Sequence, residues 1–280
     1  MKVDEVILQH STRGMDVLQK HHPKEHCKEA VEAFKKLEKG VVFLYTGFYV
    51  SGFAETDGPV GTYFLARALN SLGYKSVIIT DEFCKDYFQE IETIYIPLNG
   101  HKKEYYEAII EEYNPICHFS IERCGRNKDG LYANLRGVSV TEFTAPVDDL
   151  FMLGAKTRPT FAIGDGGNEL GMGNFAESVT KYLSLEPCII KCDFPIIATV
   201  SNWGAYGFIA CLDSDLLPTF EEVDEYLGFI VELGSVDGVS KINEKTVDGK
   251  EWAIEEDILK DLKSLKFRPD PFRSDDEVEL

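Results

Sequence analysis

The 280-residue chain has no uninterrupted apolar stretch of the roughly 18 residues that a membrane-spanning helix requires. It also has few basic residues, 29 against 48 acidic ones, and a formal net charge of −19. This deficit argues against nucleic acid or an anionic membrane as the main partner, because both bind through clustered positive charge. An acidic small molecule would therefore need a local basic site.

The sequence also lacks a Cys-x-x-Cys pair, and its cysteines are odd in number. They lie at Cys27, Cys84, Cys117, Cys124, Cys188, Cys192 and Cys211. This scatter is typical of reduced, mostly buried thiols in an intracellular protein. The beginning of the chain has neither the pattern of a secretory signal nor the Arg-rich, acid-poor pattern of a transit sequence. We therefore expect a cytoplasmic protein.

Short apolar runs alternate with amphipathic helical patterns along the middle of the chain. The runs have the β-branched and aromatic character of strands buried on both faces. Strands are predicted at 41–45, 76–80, 93–97, 116–121 and 160–163, with helices at 63–72, 82–90, 102–113 and 146–156 between them. This order indicates an α/β fold: a Rossmann-like, doubly wound, mostly parallel sheet with helices on both faces. Ligands of such folds bind outside the carboxyl ends of the strands.

One domain is expected to account for most of the chain. We predict a single α/β domain over residues 1–268, in which 1–39 form a helical extension of two amphipathic helices packed on it. Residues 269–280 are acidic and are expected to be a disordered tail. Further helices are predicted at 168–182, 208–213, 221–233 and 253–265.

The densest cluster of glycines follows the strand predicted at 160–163. Five glycines fall within the ten residues 164–173, where they alternate with Asp165, Asn168 and Glu169. Glycine loses the most backbone freedom on folding, so this density indicates that something approaches the backbone closely. The alternative is a tight strand-to-helix turn in which Asp165 or Asn168 caps the helix.

A second polar loop runs from Thr46 to Thr62, after the strand predicted at 41–45. Asp57 and Pro59 mark the beginning of the following helix. Backbone N–H groups at such a glycine-bearing helix start can bind an anion. The spacing matches neither the dinucleotide fingerprint nor the P-loop, so a carboxylate is as acceptable there as a phosphate.

Basic residues concentrate in the loop at 122–136, which holds four of them and only two acidic residues. Arg123, Arg126 and Arg136 each offer a planar fork to a carboxylate or phosphate. The alternative is a solvated, charged loop. A later helix start, at Ser201 and Asn202, is again polar and follows an apolar segment. These two side chains either face a ligand or cap the helix.

Four segments of the chain together resemble the C-terminal domain of the D-glutamate cyclase family. They are Glu-Thr-Asp-Gly-Pro-Val-Gly at 55–61, Ile-Glu-Arg-Cys-Gly-Arg at 121–126 with Asn-Leu-Arg-Gly at 134–137, Gly-Asp-Gly-Gly-Asn-Glu-Leu-Gly-Met-Gly at 164–173, and Val-Ser-Asn-Trp-Gly-Ala-Tyr at 200–206. The Gly-Asp-Gly-Gly-Asn-Glu and Ser-Asn-Trp-Gly pieces are the specific ones. The resemblance implies a lyase that converts D-glutamate to 5-oxo-D-proline with loss of water.

That chemistry requires proton transfer and a means of holding two substrate carboxylates. Asp165 and Glu169 are the best acid/base pair and Glu122 is the third candidate, since neighbouring carboxylates raise one another's pKa. The predicted substrate-binding residues lie in the four loops: Thr46, Gly47, Asp57, Gly58, Gly61, Arg123, Arg126, Arg136, Gly166, Gly167, Asn168, Ser201 and Asn202.

The sequence leaves several alternatives open. No cofactor is certain; Asp165, Glu169 and Glu122 could instead hold Mg²⁺ or Mn²⁺ and polarise the γ-carboxyl of the substrate. A second hypothesis is a metal-dependent hydrolase or phosphotransferase, and a third is a non-catalytic small-molecule-binding domain. The expected partner is a small acidic substrate, D-glutamate, and a homo-oligomer is left open.

Overall fold

The computed structural model describes residues 1–265, so the tail predicted at 269–280 lies outside the described residues. The strands are β1 Val41–Tyr45, β2 Tyr49–Val50, β3 Phe53–Ala54, β4 Lys75–Thr80, β5 Thr93–Tyr95, β6 Cys117–Ile121, β7 Thr160–Gly164 and β8 Phe194–Ile197. The helices are α1 Val3–Ile7, α2 Met15–His21, α3 His26–Phe34, α4 Pro59–Ser71, α5 Lys103–Tyr113, α6 Val147–Gly154, α7 Ala176–Ser178, α8 Ser201–Asp213, α9 Phe220–Glu232 and α10 Ala253–Ser264.

Six of the strands form one parallel sheet in the order β5-β4-β1-β6-β7-β8. Counted along the chain, that is third, second, first, fourth, fifth, sixth, the order of a doubly wound fold. The predicted α/β architecture is confirmed. The order reverses between β1 and β6, and such a switch point opens a crevice at the carboxyl ends of those two strands. β2 and β3 form a separate antiparallel pair within the loop after β1.

Each face of the sheet has its own apolar layer, because alternate residues of a strand point to opposite faces. On one face Val42 and Leu44 pack in the cluster that includes residues of α3, α4 and α8. On the other face Phe43 and Tyr45 pack with residues of α5 and α6. Burial on both faces explains why the strands are continuous apolar runs.

The N-terminal region consists of three short helices rather than the two predicted. The αL residue Gly14 precedes α2, and the segment around Pro23 separates α2 from α3. Both α1 and α3 contact α8. Within residues 1–265, no helix combines the length and apolar character needed to cross a membrane.

Two predicted helices are wrong. The pattern at 82–90 forms a single 3₁₀ turn, Glu82–Cys84, because Asp81 caps its start and Asp86 adopts a positive φ of 65° that ends it. The segment predicted as a helix at 168–182 begins as an irregular loop. Gly167 and Gly171 have positive φ there, and only short turns and a π-helical segment follow, at 173–183.

Candidate active site

Three buried carboxylates meet at the carboxyl edge of the sheet, beside the switch point. Asp57 precedes α4, Glu122 directly follows β6 and Asp165 directly follows β7. Each offers one oxygen atom, and these oxygens all lie within 4.8 Å of one another. Loops that are distant in sequence thus converge as parallel strand ends predict. We call Asp57, Glu122 and Asp165 the carboxylate triad.

The N-terminus of α8 holds Asp57. Its Oδ2 accepts a hydrogen bond from the Ser201 backbone N–H at 2.8 Å, and its Oδ1 accepts one from the Asn202 N–H at 2.8 Å. The positive end of the helix dipole favours a carboxylate at this position. The Asn202 side chain completes the arrangement, because its Oδ1 accepts from the N–H groups of Gly58 at 2.9 Å and Gly61 at 2.7 Å.

Glu122 occupies an unusual backbone conformation for a residue with a side chain. Its φ is 45°, in the left-handed region, immediately after β6. The Ser201 hydroxyl donates a 2.6 Å hydrogen bond to its Oε2. Strained backbone of this kind persists where the surroundings fix it, and it is concentrated at functional sites.

Asp165 and Glu169 do not form the pair that the sequence predicted. Oε1 of Glu169 accepts the N–H of Gly166 and Oε2 accepts that of Gly167, both at 2.7 Å, so this carboxylate closes its own loop. Asp165 instead faces Asp57 and Glu122. The acid/base role of Glu169 stays a prediction, but its oxygens are engaged by backbone in this structure.

Burial raises the pKa values of the triad carboxyls, since each ionised group has been removed from water. The pKa of Asp57 rises from 3.8 to about 7, first through burial and then through the nearby Asp248 carboxylate. The pKa of Glu122 rises well above its ordinary value through burial and then through Glu169 and Asp57. Burial likewise raises the pKa of Asp165, although the Arg13 guanidinium opposes the rise. Each carboxyl of the triad therefore holds a proton more tightly than an exposed carboxyl does.

Arg13 and Asp248 belong to this site although sequence reasoning missed them. Arg13 lies between α1 and α2, and its Nη2 contacts the carboxylates of both Asp165 and Asp248. The same nitrogen lies 3.3 Å from the carbonyl oxygen of Thr199, at the end of the neighbouring strand. Neither residue stands in a motif. The one available signal was indirect: buried carboxylates need a cation, and no basic residue lies in the glycine-rich loop.

The three predicted arginine ligands lie in different environments. Arg123 is fully buried, and its Nη1 lies 2.7 Å from Oδ2 of Asp81. Arg126 is paired with Asp148 and Asp149 at 3.2 and 2.8 Å. Arg136 is exposed. Their role in holding substrate carboxylates stays a prediction, but the structure places none of them among the contacts of the triad.

The remaining predicted residues differ in what they contact. The Thr46 hydroxyl is buried and has no hydrogen-bond partner among the described residues. The Asn168 side chain donates to the Ala133 carbonyl at 3.0 Å. A Cβ at Gly58 would lie 2.6 Å from Cβ of Glu122. The Gly47 carbonyl accepts from Arg123 at 2.8 Å.

The triad has the chemistry of a site for a hard divalent cation, since carboxylate oxygens are the ligands that Mg²⁺ and Mn²⁺ prefer. The three carboxylates lie close enough together to be candidate ligands of one cation. The set differs from the predicted one, because Asp57 takes the place of Glu169.

Neither of two surface cavities is lined by a triad residue. One, of about 460 Å³, is lined by residues that include His21, His22 and His26. The other, of about 350 Å³, is lined by residues that include Tyr63 and Tyr226. The triad itself is closed over by surrounding protein, and each of its residues is at most 5% exposed.

Comparison with known proteins identifies the family of the chain. The family model described as "D-glutamate cyclase-like, C-terminal" matches residues 3–263. The chain belongs to this family. It is also similar to a human protein named "D-glutamate cyclase, mitochondrial", with 36% identity over 181 residues. That alignment covers 56% of this chain and 29% of the human protein, so the chain spans less than a third of that relative. The relative's name refers to mitochondria, and the cytoplasmic location of this chain stays a prediction.

Proposed function

We propose that this protein is a lyase that cyclises D-glutamate to 5-oxo-D-proline with loss of water. Family membership supports this assignment. The observation that carries it is the carboxylate triad, because three buried carboxyls with raised pKa values lie at the switch point of the sheet. A carboxyl whose pKa is raised can hold a proton that an ordinary carboxyl would have lost, so the group can serve as a proton donor as well as an acceptor.

The reaction forms one bond and breaks another within a single substrate molecule. The amine nitrogen attacks the γ-carboxyl carbon, the C–N bond forms, and a C–O bond of that carboxyl breaks. The departing oxygen leaves as water. The substrate ammonium must therefore release protons, and the leaving oxygen must gain them, so the net task of the site is to move protons from nitrogen to oxygen.

The triad residues divide this task in the proposed mechanism. Asp57 is fixed by the N-terminus of α8 and attracts the substrate ammonium through its charge. Glu122 and Asp165 exchange protons: the ionised one accepts from the ammonium, and the protonated one donates to the γ-carboxyl oxygen. After the amine attacks, their protonation states are reversed, so the same two residues pass the second proton from the nitrogen to the oxygen that leaves as water. Protonation there makes the carboxyl electrophilic, because an ionised carboxylate resists attack. Holding the amine close to the γ-carboxyl supplies the rest of the rate acceleration.

A divalent cation is compatible with the same residues. Asp57, Glu122 and Asp165 would hold it, and when bound it would supply Lewis-acid polarisation of the γ-carboxyl. The cation would also offset the negative charge of the triad, which repels a dicarboxylate substrate. Adding Mn²⁺ should then raise the thermal midpoint of the wild type more than that of Asp57→Asn. Equal shifts in the two proteins would argue against this cation site.

The triad also favours a second candidate, a metal-dependent hydrolase or phosphotransferase. Clustered carboxylates are the usual protein ligands of Mg²⁺ in such enzymes. No strand-end loop of the sequence has the P-loop pattern, which weakens the phosphotransferase form of this hypothesis. Metal-dependent release of phosphate from a phosphate ester, without turnover of glutamate, would support this candidate over the first.

Turnover of glutamate tests the leading proposal. Purified protein is incubated with D-glutamate or L-glutamate, with and without Mg²⁺ or Mn²⁺, and the loss of primary amine is followed. D-selective loss, with formation of 5-oxoproline, is the expected result. Absence of turnover with either enantiomer under all of these conditions would contradict the proposal, and saturable binding alone would favour a non-catalytic binding domain.

A further inference from the structure

Arg13 engages the protein through only one of its three guanidinium nitrogens. Asp165, Asp248 and the Thr199 carbonyl all contact Nη2. Within residues 1–265, no hydrogen bond reaches its Nε or Nη1. The side chain is 20% exposed, whereas those of Asp165 and Asp248 are 2% and 3% exposed. A guanidinium of this kind still has donors for a second, bidentate carboxylate partner.

Asp248 reaches Arg13 from a tight turn. Both Asp248 and Gly249 have positive φ, 56° and 64°, and the Lys250 N–H donates to the Val247 carbonyl at 2.9 Å. The turn is anchored by Asp237, whose Oδ2 accepts the Gly249 N–H at 2.7 Å. Within the described residues, the side chain of Asp248 has hydrogen bonds only with Arg13. The Asp248 carboxylate therefore stabilises the turn only through its contact with Arg13.

Lys250 links the turn to the segment that carries Arg13. Nζ of Lys250 donates to the His10 carbonyl at 2.8 Å and to the Thr12 hydroxyl at 3.1 Å. The carboxylates of Glu122 and Asp57 also attract the Arg13 guanidinium electrostatically, in addition to its two direct partners. Arg13 thus contacts one carboxylate of the triad and one carboxylate outside it.

From this geometry we infer that Arg13 binds one carboxylate of a short dicarboxylate substrate, and that Asp248 occupies that carboxylate's position when no substrate is present. The inference rests on the proposed function for the identity of the substrate class. Substrate entry exchanges the Asp248 carboxylate for that of the substrate on Arg13, whose contact with Asp165 remains. Displacing Asp248 also removes one negative charge from the vicinity of the incoming dianion.

The two residues should then have opposite effects on affinity. Arg13→Met removes the fork and should weaken binding at least about tenfold, the scale of one charged hydrogen bond. Asp248→Asn keeps the size of the side chain and tolerates the left-handed backbone, but it removes the competing charge. It should tighten binding by about threefold or more. If Asp248 only held the turn in place through Arg13, Asp248→Asn should instead loosen the turn and weaken binding.

The probe is glutarate, a five-carbon dicarboxylate that has no amine and cannot cyclise. Its dissociation constant is measured by titration calorimetry for the wild type, Arg13→Met and Asp248→Asn. Matched controls are Arg67→Met, whose guanidinium pairs with Glu222 at 3.4 Å on the surface, and Asp215→Asn, whose side chain is 85% exposed. Circular dichroism tests whether each variant is folded. If Arg13→Met does not fold, the conservative variant Arg13→Lys takes its place.

The expected pattern is weaker glutarate binding for Arg13→Met, tighter binding for Asp248→Asn and no change for the controls. No binding by the wild type, equal dissociation constants for all proteins, or weaker binding by Asp248→Asn would overturn the inference. Turnover of D-glutamate is assayed separately. The expected binding pattern without turnover would contradict only the proposed function, whereas turnover with an unchanged KM in Arg13→Met would contradict only this inference.

Discussion

Arg123 and Asp81 form a buried ion pair, with 2.7 Å between Nη1 and Oδ2 and side chains that are 0% and 3% exposed. The same guanidinium donates to the carbonyls of Gly47 at 2.8 Å and Ala145 at 2.7 Å. Arg123 thus joins the loops that follow β1 and β4 to the segment before α6. The loop at 122–136 carries positive charge, but its most buried arginine is used to join these segments.

Replacing Arg123 should therefore cost stability. Arg123→Met leaves Asp81 buried and unpaired, and we expect the free energy of unfolding to fall by about 3–5 kcal/mol. Arg136→Met, at an exposed position, should change it by less than about 0.5 kcal/mol. Urea unfolding measures both. A stable Arg123→Met protein with weakened glutamate binding would instead support the sequence-based prediction that this arginine holds the substrate.

Glu169→Gln should disturb the glycine-rich loop. Both carboxylate oxygens accept backbone N–H groups, and an amide can accept at only one of the two positions. Leaving one buried N–H without a partner should lower the free energy of unfolding by about 1–3 kcal/mol. Urea unfolding of Glu169→Gln beside the exposed control Glu177→Gln measures this loss. Unchanged stability with a large loss of turnover would show that Glu169 takes part in proton transfer.

The glycines at the start of α4 are explained by packing against neighbouring protein. A Cβ at Gly61 would lie 2.8 Å from Cα of Asn202 and 2.9 Å from Cβ of Ala205, so glycine at this position permits the close approach of α8. Gly58 has a φ of 91°, and its Cβ would lie 2.6 Å from that of Glu122. Contact of this backbone with a ligand stays a prediction.

Alanine substitutions separate backbone strain from crowding. Gly52 has a φ of 102° with no heavy atom within 4 Å of its would-be Cβ, so Gly52→Ala should cost only the strain, about 1–2 kcal/mol. Gly58→Ala should cost that strain and a further ~1–3 kcal/mol for overpacking. Urea unfolding of the two variants gives the difference. A Gly58→Ala protein no less stable than Gly52→Ala would refute this account of the turn.

The sequence was sufficient for five of the six strands of the parallel sheet, because buried parallel strands have a local signature. The run at Val41–Tyr45 was predicted with its observed bounds, and β6 and β7 were predicted within one residue of their bounds. The sequence also placed the candidate residues in loops that follow these strands, but its carboxylate set was Asp165, Glu169 and Glu122, and the structure brings Asp57 to the site in place of Glu169. The helix predicted at 82–90 is absent because Asp86 adopts a positive φ, which interrupts a helix and which the spacing of apolar residues does not reveal.

The site could be predicted only in part, because side-chain direction depends on contacts that are distant in sequence. Glu169 lies in a predicted motif, yet positive φ at Gly167 lets the loop fold back so that its N–H groups meet that carboxylate. Arg13 and Asp248 are 235 positions apart. No local pattern marks either residue, and only the folded chain places them beside the triad.

A buried acid outside the triad makes the stability of the protein depend on pH. Glu255 accepts a 2.5 Å hydrogen bond from the indole N–H of Trp203, and burial raises its pKa from 4.5 to about 7. The folded state therefore binds this proton more tightly than the unfolded chain does. The resulting stabilisation is complete below about pH 4.5 and is lost as the pH rises to about 7.

Comparing the wild type with Glu255→Gln isolates this contribution. The glutamine can still accept from Trp203 but does not titrate. The free energy of unfolding of the wild type, relative to that of Glu255→Gln, should decrease by up to about 3 kcal/mol between pH 4.5 and pH 8. Chemical unfolding at a series of pH values gives the difference. A difference that is constant or increases over this range would contradict the raised pKa.

Formation of 5-oxo-D-proline by Asp165→Asn tests the central claim most directly. The change preserves size but removes the proton site that faces Asp57 and Glu122. NMR spectroscopy follows the product from D-glutamate for this variant, the wild type and the exposed control Asp215→Asn. We predict turnover by the wild type and the control, and a rate at least about 10²-fold lower for folded Asp165→Asn. Wild-type rates in folded Asp165→Asn, or no product from the wild type, would contradict the account.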